Sequence, residues 1–207
     1  MILGGYILAM KRTQEIRDNR LWSRARAVGL ALGVVALIFS SPNPSAQPVP
    51  VMRDNAMVEA ARRGDVDALE TAFANGSKAD RRGINGLSPL HVAAQFGRTE
   101  AVAVLLGMTA KVDHRDRDRQ TALGHSVVND HADIAVLLLA AGADPDRSGT
   151  NYEPPLVVAA RRGNLDIVTA LLQAGADRTL GDNTGRTPLE WARAMRHMPI
   201  IAALEAR

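Results

Sequence analysis

From residue 54 onward, apolar positions come in short bursts separated by polar turns, and the bursts recur at a fixed interval. Leu90, Leu123, Leu156 and Leu189 are spaced by 33 residues, and Leu105, Leu138, Leu171 and Leu204 keep the same step. Ala60, Ala93, Ala159 and Ala192 share a third phase, with Ser126 in its one gap. Gly64, Gly97 and Gly163 share a fourth, where Asp130 fills the missing slot. Gly76, Gly142 and Gly175 share a fifth, interrupted by Thr109. A repeat of this length predicts one supersecondary unit copied along the chain, each copy too small to bury its apolar face alone. Ala and Leu supply most of the apolar mass and aromatics make up only 3%. Small, straight side chains suit short, tightly packed helices better than a sheet.

The content of each unit is as regular as its length. Ser88-Pro89-Leu90-His91 leads into Val92-Ala93-Ala94 and then Phe96-Gly97, and Thr187-Pro188-Leu189 opens a later copy. Leu137-Leu138-Leu139 precedes Ala141-Gly142-Ala143-Asp144, and Leu171-Leu172 precedes Ala174-Gly175-Ala176-Asp177. Ser88 or Thr187 can cap a helix, and the proline after it takes the first helical position, where a missing N–H is harmless. Gly97 and Gly163 end the first helix in a conformation that a side chain resists, and Gly142 and Gly175 do the same after the second. Together these motifs resemble the ankyrin repeat over roughly residues 54–207.

The resemblance implies an all-α fold, an α-solenoid of about five stacked repeats, each a helix-turn-helix followed by a β-hairpin loop. The expected units are 54–82, 83–115, 116–148, 149–181 and 182–207, the outer two acting as caps. The third departs from the pattern at Ala122, Gly124-His125 and Asp130. The fourth opens on Pro154-Pro155-Leu156, with Tyr152 at the turn-glycine position.

Residues 1–46 carry a different pattern. Asn19 to Arg26 is basic, and Ala27 to Phe39 is an uncharged run of thirteen residues, followed by polar, proline-rich chain. That order predicts a signal peptide, and cleavage after Ala46 is the expectation despite Pro44 at the minus-three position. The run is short of the roughly 20 residues of a spanning helix, and an uncleaved signal anchor is the alternative. Met10, followed by Lys11-Arg12, offers a second translation start besides Met1. Residues 47–53 read as a proline-rich linker. The expected location is periplasmic or secreted, or the inner membrane if the segment is retained.

Charge narrows the function. The first 46 residues hold six Lys/Arg and two acids, leaving 19 of the 25 basic and 20 of the 22 acidic residues for the remainder, a formal net charge of −1. A nucleic-acid binder keeps a basic excess in its folded part, so no nucleic-acid partner is expected. The absence of cysteine removes disulfides, thiolate metal sites and a Cys nucleophile. His91 belongs to the helix-start motif and reads as structural, and His125 and His131 lack a third metal ligand at suitable spacing. Asp113, Asp116 and Asp118 alternate with Arg115, Arg117 and Arg119, without the turn glycine or closing glutamate of a calcium loop. The expectation there is a solvated hairpin tip. No nucleophile motif or phosphate loop is present. We therefore expect no enzyme, no cofactor and no metal.

What remains is binding to another protein. The expected contact residues on the hairpin tips are Ile84, Asn85, Leu87, Arg117, Asp118, Gln120, Asn151, Tyr152, Glu153 and Arg186. At the ends of the first helices, which face the concave surface in the ankyrin family, they are Arg63, Phe96, Asn129 and Arg162. Family resemblance also allows an accessory role in periplasmic peroxide defence, to which no residue here points.

Overall fold

The computed structural model describes residues 55–147, 149 and 153–206, all within one compact unit, Pro50–Arg207. The expected signal segment and linker lie outside the described residues, as do the predicted contacts Asn151 and Tyr152.

Ten helices form five pairs among these residues: α1 (Ala56–Arg63) with α2 (Val66–Ala74), α3 (Pro89–Gln95) with α4 (Thr99–Gly107), α5 (Ala122–Val128) with α6 (Ala132–Ala140), α7 (Pro155–Arg162) with α8 (Leu165–Gln173), and α9 (Pro188–Ala194) with α10 (Met198–Glu205). The first helices pack in one row (α1, α3, α5, α7, α9) and the second helices in another, each pair touching only its neighbours. No strand occurs among the described residues. The architecture is an all-α repeat solenoid.

The periodic residues build the layers between pairs. Leu105, Leu138 and Leu171 are fully buried, as are Ala93 and Ala192, so adjacent helices approach on small side chains while leucines fill the space between. Ser126, the break in the alanine phase, is equally buried, and its hydroxyl donates to the Leu123 carbonyl at 2.7 Å. That bond offsets the penalty of a buried hydroxyl.

Polar groups join the pairs with the same regularity. Asp80, Asp113 and Asp146, themselves 33 apart, accept from the backbone N–H groups of Lys111, Asp144 and Asp177 at 2.9, 3.1 and 2.9 Å. A second ladder runs along the first-helix ends. The His131 ring lies over Gly97 and donates from Nε2 to the Gln95 carbonyl, as His197 lies over Gly163 and donates to Arg161, both at 3.3 Å. Gly163 has φ +85, and a Cβ there would stand 2.7 Å from His197 Cε1. Glycine is needed both for its dihedral and for the ring that covers it.

Where the slot holds Asp130 (φ 60), the reaching residue is the smaller Asn164, and Arg162 of α7 grips the carboxylate through Nε and Nη2 at 3.1 and 2.5 Å. Two departures from the repeat pattern, Asp130 and Asn164, are thus one coordinated exchange, joined by Arg162.

The connecting loops depart from the expected β-hairpins. Each is closed by a single rung, from Gly83, Asp116, Gly149 and Asp182 N–H to the carbonyls of Leu87, Gln120, Glu153 and Arg186 at 2.8, 2.9, 3.2 and 2.9 Å. The next residue is already the N-cap of a helix (Ser88, Thr121, Pro154 or Thr187), so no backbone remains to extend a ladder.

Two substitutions separate the roles of the glycines. Gly142 has φ +86 with nothing within 4 Å of a built Cβ, so Gly142→Ala carries only the left-handed backbone cost, about 1 kcal/mol. Gly163→Ala adds displacement of the His197 ring and is expected to cost about 2 kcal/mol or more in urea unfolding. Equal losses would show that the ring contact contributes nothing.

Candidate binding surface

The hairpin tips and first-helix ends share one side of the helix rows, and charge is divided between the rows. The second helices carry Asp67, Glu70, Glu100, Asp133, Asp166 and Glu205 without a single Lys or Arg, whereas Arg62, Arg63, Arg161, Arg162 and Arg193 all lie on first helices. Glu59 and Glu190 are the only acids on the first-helix row.

At the helix ends Arg63, Phe96, Asn129 and Arg162 are all exposed, Phe96 by 46%. Asn129 donates to the His125 carbonyl at 2.8 Å, and Arg63 stands 3.5 Å from Glu59. On the tips Ile84 is 42% exposed, Asn85, Arg117, Asp118 and Arg186 are exposed, and Leu87, Gln120 and Glu153 are half-buried. Not all of these side chains are equally open to a partner. Glu153 forms a two-pronged ion pair with Arg161, both prongs 2.8 Å, and Arg162 is committed to Asp130. Glu153 is held within its own pair and Arg162 by the preceding one.

The reading of Asp116 as part of a solvated tip is corrected. Its carboxylate is buried, accepting from the Gln120 N–H and from His125 Nε2, both at 2.8 Å. Asp182, nine residues before Trp191, repeats the arrangement and accepts from indole Nε1 at 2.8 Å. Its Oδ1 also takes the Thr184 hydroxyl and the Thr184 and Arg186 N–H groups. The Thr184 hydroxyl first, then the indole and those backbone groups, hold the carboxyl down to about 2. A ring N–H gripping an aspartate thus fixes two of the loops. In the other two, glycine (Gly83, Gly149) occupies the aspartate position and valine (Val92, Val158) the ring position.

Hairpin 116–120 has a further tether. His91 is 1% exposed, and its Nδ1 accepts from the Ser88 backbone N–H at 3.2 Å. A backbone N–H only donates, so Nδ1 is unprotonated and Nε2 carries the hydrogen. Nε2 donates to the carbonyls of His114 and Gln120 at 2.8 and 3.1 Å. The ring also meets those of His114 and His125 edge-on, with centroids 6.2 and 5.6 Å away. Burial first, then the neighbouring His125, lowers the His91 pKa to about 4, against a smaller opposing pull from Asp116.

Trp191 is half-buried between two guanidiniums, Arg161 at 5.3 Å and Arg186 at 4.9 Å from the ring centroid. Arg161 faces Glu153, whereas Arg186 makes no ion pair among the described residues. The sequence reading missed Asp116, His125, Asp182 and Trp191. The signal was present: Asp and a ring-bearing residue exchange together for Gly and Val at the 33-residue step. Among the described residues no group of three or more acidic or imidazole side chains could hold a metal ion.

Paired helices, capped Ser/Thr-Pro starts and single-rung loops repeating at this step define a helical repeat protein. The chain belongs to the ankyrin-repeat family: a family model for ankyrin repeats (3 copies) matches residues 57–149 and 146–205. That family is generally one of protein–protein interaction modules and is typically non-catalytic. No curated relative matches the chain.

The His91 geometry sets a pH dependence. The unfolded imidazole titrates near 6.5 and the folded one near 4, so between these values the unfolded state binds more protons and stability falls as pH is lowered. It is complete above pH 6.5 and drops by on the order of 3 kcal/mol toward pH 4. Urea unfolding at pH 7, 6 and 5 should show this slope, and His91→Gln should flatten it; a slope unchanged in that variant would refute the assignment.

Proposed function

We propose that the chain is a non-catalytic protein-binding module of the periplasm or cell envelope, an exported bacterial ankyrin protein. In this reading the five helix pairs are five repeats. One partner protein lies across the hairpin tips and the first-helix ends, the concave face in the ankyrin family. The observation that carries the binding reading is the exposure of apolar side chains on that side, Phe96, Ile84 and Met195, by 46, 42 and 46%. Aromatic and arginine side chains dominate binding hot spots. Export rests on the basic segment followed by the apolar run Ala27 to Phe39. Five repeats offer on the order of 800 Å² per partner, the usual interface size.

Affinity capture with the whole chain from the exported fraction should recover one protein, and Ile84→Ala with Phe96→Ala should weaken its binding at least tenfold, about 1.4 kcal/mol. Capture that yields no partner, or is indifferent to the double variant, argues against this face. The amino terminus of the purified protein, read by mass spectrometry, should begin near Gln47. A start at Met1 or Met10 in the membrane fraction would instead make the chain a membrane-anchored scaffold.

A further inference from the structure

Where glycine and valine replace the aspartate and the ring, the Asp–ring bond is absent, and the space so created differs between the two cases. At the first, Val58, Arg62, Gly83, Asn85, Leu87 and Val92 meet closely, leaving no room for a water molecule. At the second, 66 positions further on, Gly124 stands where Val58 does and Glu153 where Leu87 does. A cavity of about 170 Å³ opens there, a notch lined among the described residues by Gln120, Gly124, Val127, Val128, Gly149, Glu153, Pro155 and Val158. An apolar cavity of roughly 150 Å³ accepts a benzene-sized ring.

Gly124 lies within α5, where its backbone requires no glycine. A Cβ would meet the Gln120 side chain, with Cγ at 2.8 Å and Nε2 at 3.3 Å. Glycine here costs helix stability, by about 1 kcal/mol relative to alanine, and it makes room for the Gln120 side chain that lines the cavity.

The surroundings select the occupant. Glu153 in the lining is neutralised by Arg161, so the notch presents no unpaired charge and fits an uncharged, apolar side chain. From Glu153 a continuous row leads through Arg161 and Trp191 to Arg186. Arg186 is exposed, already oriented by the indole face and without an ion pair among the described residues. The two guanidiniums stand 5.3 and 4.9 Å from the ring. The first-helix row is cationic, as described above.

Resting on the binding reading above, we infer that the Gly124 notch and Arg186 together receive an extended segment of the partner protein. It places an aromatic or branched aliphatic residue in the notch and an Asp or Glu on Arg186.

Phage-displayed random dodecapeptides panned against the immobilised whole chain test this without knowing the partner. Enriched peptides should pair a large apolar residue with an acidic one. As synthetic peptides they should bind Gly124→Val and Arg186→Glu at least tenfold more weakly by fluorescence polarisation. Val128→Asp, at an exposed position lining the notch, should do the same and guards against a Gly124→Val chain that fails to fold. Absence of enrichment, enriched peptides without the pairing, or peptides indifferent to these variants would overturn the inference. Failure of the broader reading looks different: no protein is captured at all. A partner that is captured but ignores Gly124→Val and Arg186→Glu removes the notch while leaving the surface.

Discussion

No helix pair in this chain can satisfy its own surface, and everything else follows from that dependence. A pair of helices of seven to nine residues has one apolar face more than it can bury, and its ends carry amides and carbonyls that it cannot pair. The neighbouring pair supplies both. Leucines close the apolar layer, while Asp80, Asp113 and Asp146 hold amides of the following unit. Arg98, His131 and His197 reach back to carbonyls of the preceding one. Because each bond crosses a boundary between pairs, stability accrues as nearest-neighbour terms rather than from a single core.

This coupling explains why departures from the repeat come in sets. A side chain placed at Asp130 removes the room that a following histidine needs, and the chain has Asn164 and Arg162 there instead. A buried carboxylate at Asp116 or Asp182 requires a donor, and His125 and Trp191 provide it. Removing one member of such a set leaves a polar group buried without its partner, at about 1–3 kcal/mol, whereas exchanging the whole set is nearly neutral. The Gly149/Val158 combination is such an exchange, an apolar alternative to the Asp–ring bond.

The fold was legible in the sequence because spacing alone specifies it: Leu90, Leu123 and Leu156 at one step can share a layer only if the units are copies. The site was legible in part. Phe96 and Ile84 could be placed on the open side from their slots, and they are exposed. Glu153 and Arg162 could not be judged that way: Arg161, 8 residues on, meets Glu153 when the loop folds onto its own helix, and Asp130, 32 residues back, meets Arg162 only once the pairs stack. Hydropathy also misjudged Asp116: an aspartate among arginines reads as solvated, yet the tip folds it inward onto His125. Charge patterns report composition, whereas burial of a single carboxylate depends on one donor.

The alternation of tethers bears on binding itself. Ordering a loop upon contact subtracts from affinity, and loops fixed beforehand avoid that loss. Hairpin 116–120 is held by His91 and His125, and hairpin 182–186 by Trp191. These two stand on either side of the pair whose first helix, α7, borders the notch. Arg117 and Asp118 on one and Arg186 on the other are therefore presented from fixed turns, with an apolar recess between them. A flat polar face would have to gain affinity from rim charges alone, which contribute little. A recess flanked by two anchored tips excludes water around one buried contact, the arrangement in which a single side chain carries most of an interface.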